Sequence, residues 1–137
     1  MTDTAKSAPQ LRVMRSQLGR VRGLGAAGHG AGTWWAERVT SVALVPLTLW
    51  FVYAAFHLAG RPRIAAAHWI ASPVNATLML ALVLVTFHHM RMGLQVVIED
   101  YIHHERTRLP LLLLNTAVAA LLGLACVIAV LKLAFTG

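Results

Sequence analysis

The chain has 137 residues, 58% hydrophobic and 12% charged, with a formal net charge of +7. That much apolar surface cannot be hidden inside a soluble domain of this size, so the composition excludes a water-soluble globular protein and leaves an integral membrane one. The single cysteine, Cys126, excludes an internal disulfide and a Cys-held iron–sulfur cluster, and no aromatic-interleaved basic surface suggests nucleic acid.

Residues 1–32 form a basic tail in this reading, flexible and cytoplasmic. It carries Lys6, Arg12, Arg15, Arg20 and Arg22, is Gly-rich from Gly19 to Gly32, and lacks the apolar stretch of a secretory signal. Its charge suits lipid headgroups or a partner protein. Residues 33–137 form the membrane domain. Three segments lack Asp, Glu, Lys and Arg, namely Val39–Gly60, Ile64–Met90 and Leu109–Leu131. Each reaches the roughly 20 residues that a span requires. The predicted fold is therefore all-α, a bundle of three transmembrane helices.

The first helix is expected over about 33–59, with Thr33 as its N-cap and Trp34 and Trp35 at interfacial depth. Pro46 should kink it, and Gly60 before "RPR" should end it. The second is expected over about 73–101, with Ser72 as cap and Pro73 in the first helical position. The third is expected over about 109–135, with Pro110 in its first turn. Arg38, Arg106 and Arg108 fall on the side of the tail, whereas Arg61, Arg63 and Lys132 lie opposite. The positive-inside rule then puts the tail in the cytoplasm and the C-terminus outside.

The chemistry concentrates in "FHHMRMGLQVVIEDYIHHE", Phe87 to Glu105. At about 100° per residue, His89, Gly93, Val96 and Asp100 share one stripe, and Tyr101 is rotated about 120° from His89. His88 faces elsewhere, with Met92, Gln95 and Glu99. A histidine at membrane depth ligates a metal or haem, relays protons, or bonds a neighbouring helix. Haem ligation needs a neutral nitrogen aimed into a gap between helices. Gly93, one turn on, supplies room, and Arg91 is available for a propionate. The competing use of His89 is a hydrogen bond to a nearby carbonyl.

The end "EDY" lies close to Arg38 in this topology. Tyr101 could donate to a carbonyl oxygen while Asp100 orients an arginine or relays protons, as quinone reduction requires. Each residue alone could equally be an ordinary interfacial side chain. His57 and His68 belong near the opposite membrane face, so neither can share an iron with His89. His103 and His104 belong to a polar connection, and His29 to the tail. Trp34, Trp35, Trp50 and Trp69 are anchors or packing residues, with Trp34 or Trp35 able to edge a quinone site.

"HMRMGLQVVIEDY" resembles the H-x-x-x-G-x-x-x-x-x-x-D-Y signature of the small hydrophobic membrane anchor subunit of succinate dehydrogenase, respiratory complex II. "WWAERVTSVALVPLTLWFVY" resembles that family's first helix, especially in bacterial members of the mitochondria-like type. The similarity covers about residues 29–137. The resemblance implies a bacterial inner-membrane protein in which two anchor subunits sit beneath a flavoprotein and an iron–sulfur subunit. It implies a haem b shared with the second cytochrome b anchor, His89 being this chain's axial ligand to the iron. It further implies a ubiquinone site to which Tyr101, Asp100 and Arg38 contribute, and no catalysis by this chain alone. The alternative is a structural membrane subunit, or a small transporter component, without haem.

Overall fold

The computed structural model describes residues 30–136; the tail up to residue 29, His29 included, lies outside the described residues. The contacts divide the chain between Ala31 and Gly32, and the helices pack within the unit Gly32–Gly137. They are α1 (Gly30–Leu58), α2 (Arg63–Ile70), α3 (Pro73–Tyr101) and α4 (Glu105–Thr136). The described residues contain no strand. Three helices are long and apolar enough to cross a membrane, over Ala31–Leu58, Pro73–Tyr101 and Glu105–Phe135. At 1.5 Å per residue each extends about 40 Å, enough to span with an extra turn or two beyond the hydrocarbon. The chain is a multi-pass membrane protein.

The ends follow local chemistry, with instructive departures. Gly60 adopts φ +75°, a left-handed conformation that only glycine accepts cheaply, and the chain turns there after Leu58. Ser72 stands at the N-cap of α3 and Pro73 in its first turn, but the serine hydroxyl makes no capping bond. Helix α1 begins at Gly30, so Thr33 lies within its first turn rather than capping it. Pro46 sits inside α1, and the helix continues through it. Nearby, the Thr48 hydroxyl donates to the carbonyls of Leu44 (2.7 Å) and Val45 (3.0 Å). Helix α4 starts at Glu105, a turn before the expected position, and Pro110 consequently falls in its second turn. The His104 carbonyl starts it by accepting from the amides of Thr107 (3.1 Å) and Arg108 (2.9 Å), and Glu105 suits the positive end of the helix dipole.

Helix α2 is an addition to the three expected elements. Its eight residues, "RIAAAHWI", are too few to span. Ala67 and Ile70 are buried, and α2 packs on both α3 and α4. Trp69 stacks on Trp50 of α1 at 5.6 Å between ring centroids, pinning the connection to the first helix. Asn75 at the start of α3 donates to the Trp69 carbonyl at 2.9 Å.

Helices α3 and α4 form the closely packed pair. Their seam contains small residues, with Ala119 buried and Gly123 facing Phe87. This is the usual solution in lipid, where close approach of main chains replaces the hydrophobic effect as the source of helix affinity. Asn115 of α4 adds a hydrogen bond to the Arg91 carbonyl at 2.9 Å. Elsewhere, large side chains face outward: Val42, Phe56, Leu113 and Phe135 are each more than two-thirds exposed. Lipid or partner helices must cover such a surface.

A Cβ at Gly123 would meet the Phe87 Cβ and Cγ at 3.4 Å, an ordinary contact. Gly123→Ala should therefore leave the assembled protein's thermal unfolding midpoint nearly unchanged. Gly123→Leu should lower it, because overpacking a close seam costs about 1–3 kcal/mol. Equal midpoints for the two variants would show that α3 and α4 do not pack through this glycine.

Candidate functional site

The adjacent histidines of α3 point in different directions because they are about 100° apart around the helix. His89 is half-buried and faces α1, where its Nδ1 lies 2.9 Å from the Thr40 Oγ1. His88 is exposed and opens onto a groove of about 550 Å³ between α3 and α4, lined also by Phe87, Arg91, Thr116 and Gly123. The expected separation of the two imidazoles is present, but His88 does not share a groove with Met92, Gln95 and Glu99. Those three, with Val96, line a second groove of about 230 Å³ against Thr33, Trp34 and Glu37 of α1. Gln95 donates to Glu99 within it, from Nε2 to Oε1 at 2.9 Å.

A Cβ built on Gly93 would meet nothing within 4 Å, so the surface one turn beyond His89 is open. Among the described residues no group of three or more His, Cys, Asp or Glu could hold a metal ion. A haem iron would ask less of this chain, a single axial imidazole. His89 fits that requirement: one ring nitrogen is held by Thr40, and the other is free to serve as a ligand. Arg91 lines the α3–α4 groove, so its side chain opens on a different side of α3 from the His89–Thr40 seam.

At the other expected centre, Arg38, Asp100 and Tyr101 are all exposed. The Arg38 guanidinium lies over the Trp34 ring, 4.8 Å from its centroid, and Trp34 packs edge-on against Trp35 at 5.1 Å. Among the described residues no hydrogen bond or ion pair joins Arg38 to Asp100 or Tyr101. The arginine thus has an aromatic neighbour on its own helix, while Tyr101, 78% exposed, presents its phenol at the end of α3.

Sequence reasoning grouped Met92, Gln95 and Glu99 on one face of α3, but missed Thr40 as the partner of His89 and Glu37 as part of the groove that this face lines. No spacing announces either, since Thr40 and Glu37 lie on α1, remote in sequence from His89, Gln95 and Glu99 on α3. Trp34 could be anticipated from its interfacial position, and it does edge the α1–α3 groove.

The chain matches the family model described as succinate dehydrogenase/fumarate reductase transmembrane subunit over residues 12–130. It is 30% identical over 118 residues to a succinate dehydrogenase hydrophobic membrane anchor subunit of Rickettsia bellii, covering 85% of this chain and 93% of the relative. A protein of the same description from Rickettsia conorii is 26% identical over 101 residues, 73% of this chain and 80% of its own length. A succinate dehydrogenase membrane anchor subunit of Reclinomonas americana is 25% identical over 93 residues, 66% and 78% of the two chains. No solved structure matches the chain.

Proposed function

The chain belongs to the succinate dehydrogenase/fumarate reductase transmembrane subunit family, and from that premise we propose that it contributes one axial ligand of a haem b and part of a ubiquinone site. It is a membrane anchor subunit of succinate dehydrogenase and not itself the catalytic subunit. In the proposed assembly it sits in a bacterial inner membrane with its N-terminus in the cytoplasm. A second cytochrome b anchor lies beside it, and the iron–sulfur and flavoprotein subunits lie above.

The single observation that carries the haem reading is the half-buried His89, bonded through Nδ1 to Thr40 with open surface at Gly93 one turn away. A bound haem would supply one-electron exchange at membrane depth. This chain's part is to hold an imidazole nitrogen at a fixed place and to leave room beside it. Arg91 is the charge-matched candidate for a propionate, although its groove lies on the other side of α3. At the cytoplasmic end, the Tyr101 phenol would donate to a quinone carbonyl oxygen. Asp100 beside it would accept or pass a proton, and Arg38, braced on Trp34, would add positive charge where negative charge develops on the reduced ring.

The same histidine bond is also what a purely structural subunit or small transporter component would use to join two helices. The reduced-minus-oxidised absorbance of the complex purified through this chain separates the two. A low-spin b-type spectrum is expected; its absence from an intact complex would remove the haem assignment.

A further inference from the structure

We infer that Thr40 is a positioning residue for His89: its hydroxyl holds the imidazole with the proton on Nδ1, which leaves Nε2 as the nitrogen that meets iron. The inference rests on the haem reading above and extends it to a residue on another helix. The Thr40 Oγ1 has three neighbours within hydrogen-bonding distance: the carbonyl of Ala36 at 2.8 Å, the carbonyl of Glu37 at 3.0 Å and Nδ1 of His89 at 2.9 Å. A threonine hydroxyl has one proton to give and two lone pairs to accept with. Both carbonyls are acceptors only, and a helical threonine habitually gives its proton to the carbonyl a turn behind. Its oxygen then accepts from the ring, so the ring carries its proton on Nδ1.

The opposite tautomer would turn the hydroxyl proton toward Nδ1 and place a proton on Nε2. Among the described residues the one hydrogen bond of the His89 ring is made through Nδ1, and an unpaired Nε2 donor inside a membrane-spanning helix would be costly. With the proton on Nδ1, every donor of the pair is satisfied and Nε2 keeps a lone pair. Metal-bound histidines share this arrangement: the ring nitrogen away from the metal donates to a neighbour, which fixes the ring's orientation and raises the basicity of the ligating nitrogen. Thr40 is suited to the task because its branched Cβ is stiff at χ1 and its hydroxyl is tied to α1. The ring on α3 is thereby oriented by a different helix.

The test uses the whole complex with two substitutions. Thr40→Val keeps the branched shape and removes the hydroxyl; Thr40→Ser keeps the hydroxyl and removes the methyl. The haem is titrated potentiometrically by its b-type absorbance, with flavin content confirming assembly. Thr40→Val should raise the midpoint potential, because a less basic imidazole favours the oxidised iron less. It should also weaken haem retention about tenfold, while Thr40→Ser behaves as the parent. Loss of haem from the assembled valine variant with retention in the serine variant supports the inference equally. A valine variant titrating at the parental potential with full haem would overturn it, as would loss of haem in both variants, since the hydroxyl kept by serine would then fail to hold the haem. A parent complex without haem would instead overturn the haem reading itself.

Discussion

His89→Ala should abolish the low-spin b-type spectrum of the complex while flavin content and subunit assembly persist. A low-spin iron needs strong ligands on both faces of the macrocycle, and this chain has one imidazole suitably placed to supply one of them. Its neighbour His88 cannot substitute, because it points about 100° away and opens onto the α3–α4 groove with Arg91. His88→Ala therefore makes the matched control and should leave the spectrum unchanged. The substitution at His89 removes one interhelical hydrogen bond, the contact with Thr40 at 2.9 Å. Such bonds contribute about 1 kcal/mol in membranes, too little for their loss to dismantle the bundle. A spectrum that survives His89→Ala in an assembled complex would end the proposal that this chain ligates haem.

Tyr101→Phe should reduce succinate-to-quinone electron transfer about a hundredfold, the usual effect of deleting one donor aimed at a developing oxyanion. Succinate oxidation by an artificial soluble acceptor should be nearly unaffected. The contrast is informative because Tyr101 is 78% exposed in this chain. Removing its hydroxyl opens no cavity and strands no partner within α3, so a folding defect is not expected. Equal losses with both acceptors would indicate failed assembly and defeat the quinone role. Asp100→Asn, one residue back, would probe proton supply rather than hydrogen bonding to the ring, and its loss of rate should deepen as pH rises and free protons become scarce.

The two proposed centres are legible in the sequence to different degrees. The stripe from His89 through Gly93 to Asp100 follows from helical periodicity, which packing cannot change. Gly93 faces open space. The grouping of Arg38 with Asp100 and Tyr101 rests on topology alone, and within this chain Arg38 lies over Trp34, one turn back on its own helix. A guanidinium at an exposed helix end takes the nearest aromatic face or carboxylate, and which one is nearest depends on rotamers and on how the helix ends are set. The short helix α2 escaped notice for a related reason. Eight residues carry too little periodicity to stand out, and their order comes from burying Ala67 and Ile70 against α3 and α4.

By itself the sequence determined that this protein crosses a membrane three times, where α3 begins and ends, and which residues share the face of α3 that carries His89. Those features depend on hydropathy, on Pro73 and Gly60, and on a fixed rotation per residue, all of them local. Only the tertiary structure decided that His89 meets Thr40 while His88 opens on another groove, and that Glu37 of α1 lines one groove with Gln95 and Glu99 of α3. Such pairings depend on how α1 and α4 are set against different parts of the surface of α3, and residues remote in sequence become neighbours only through that packing.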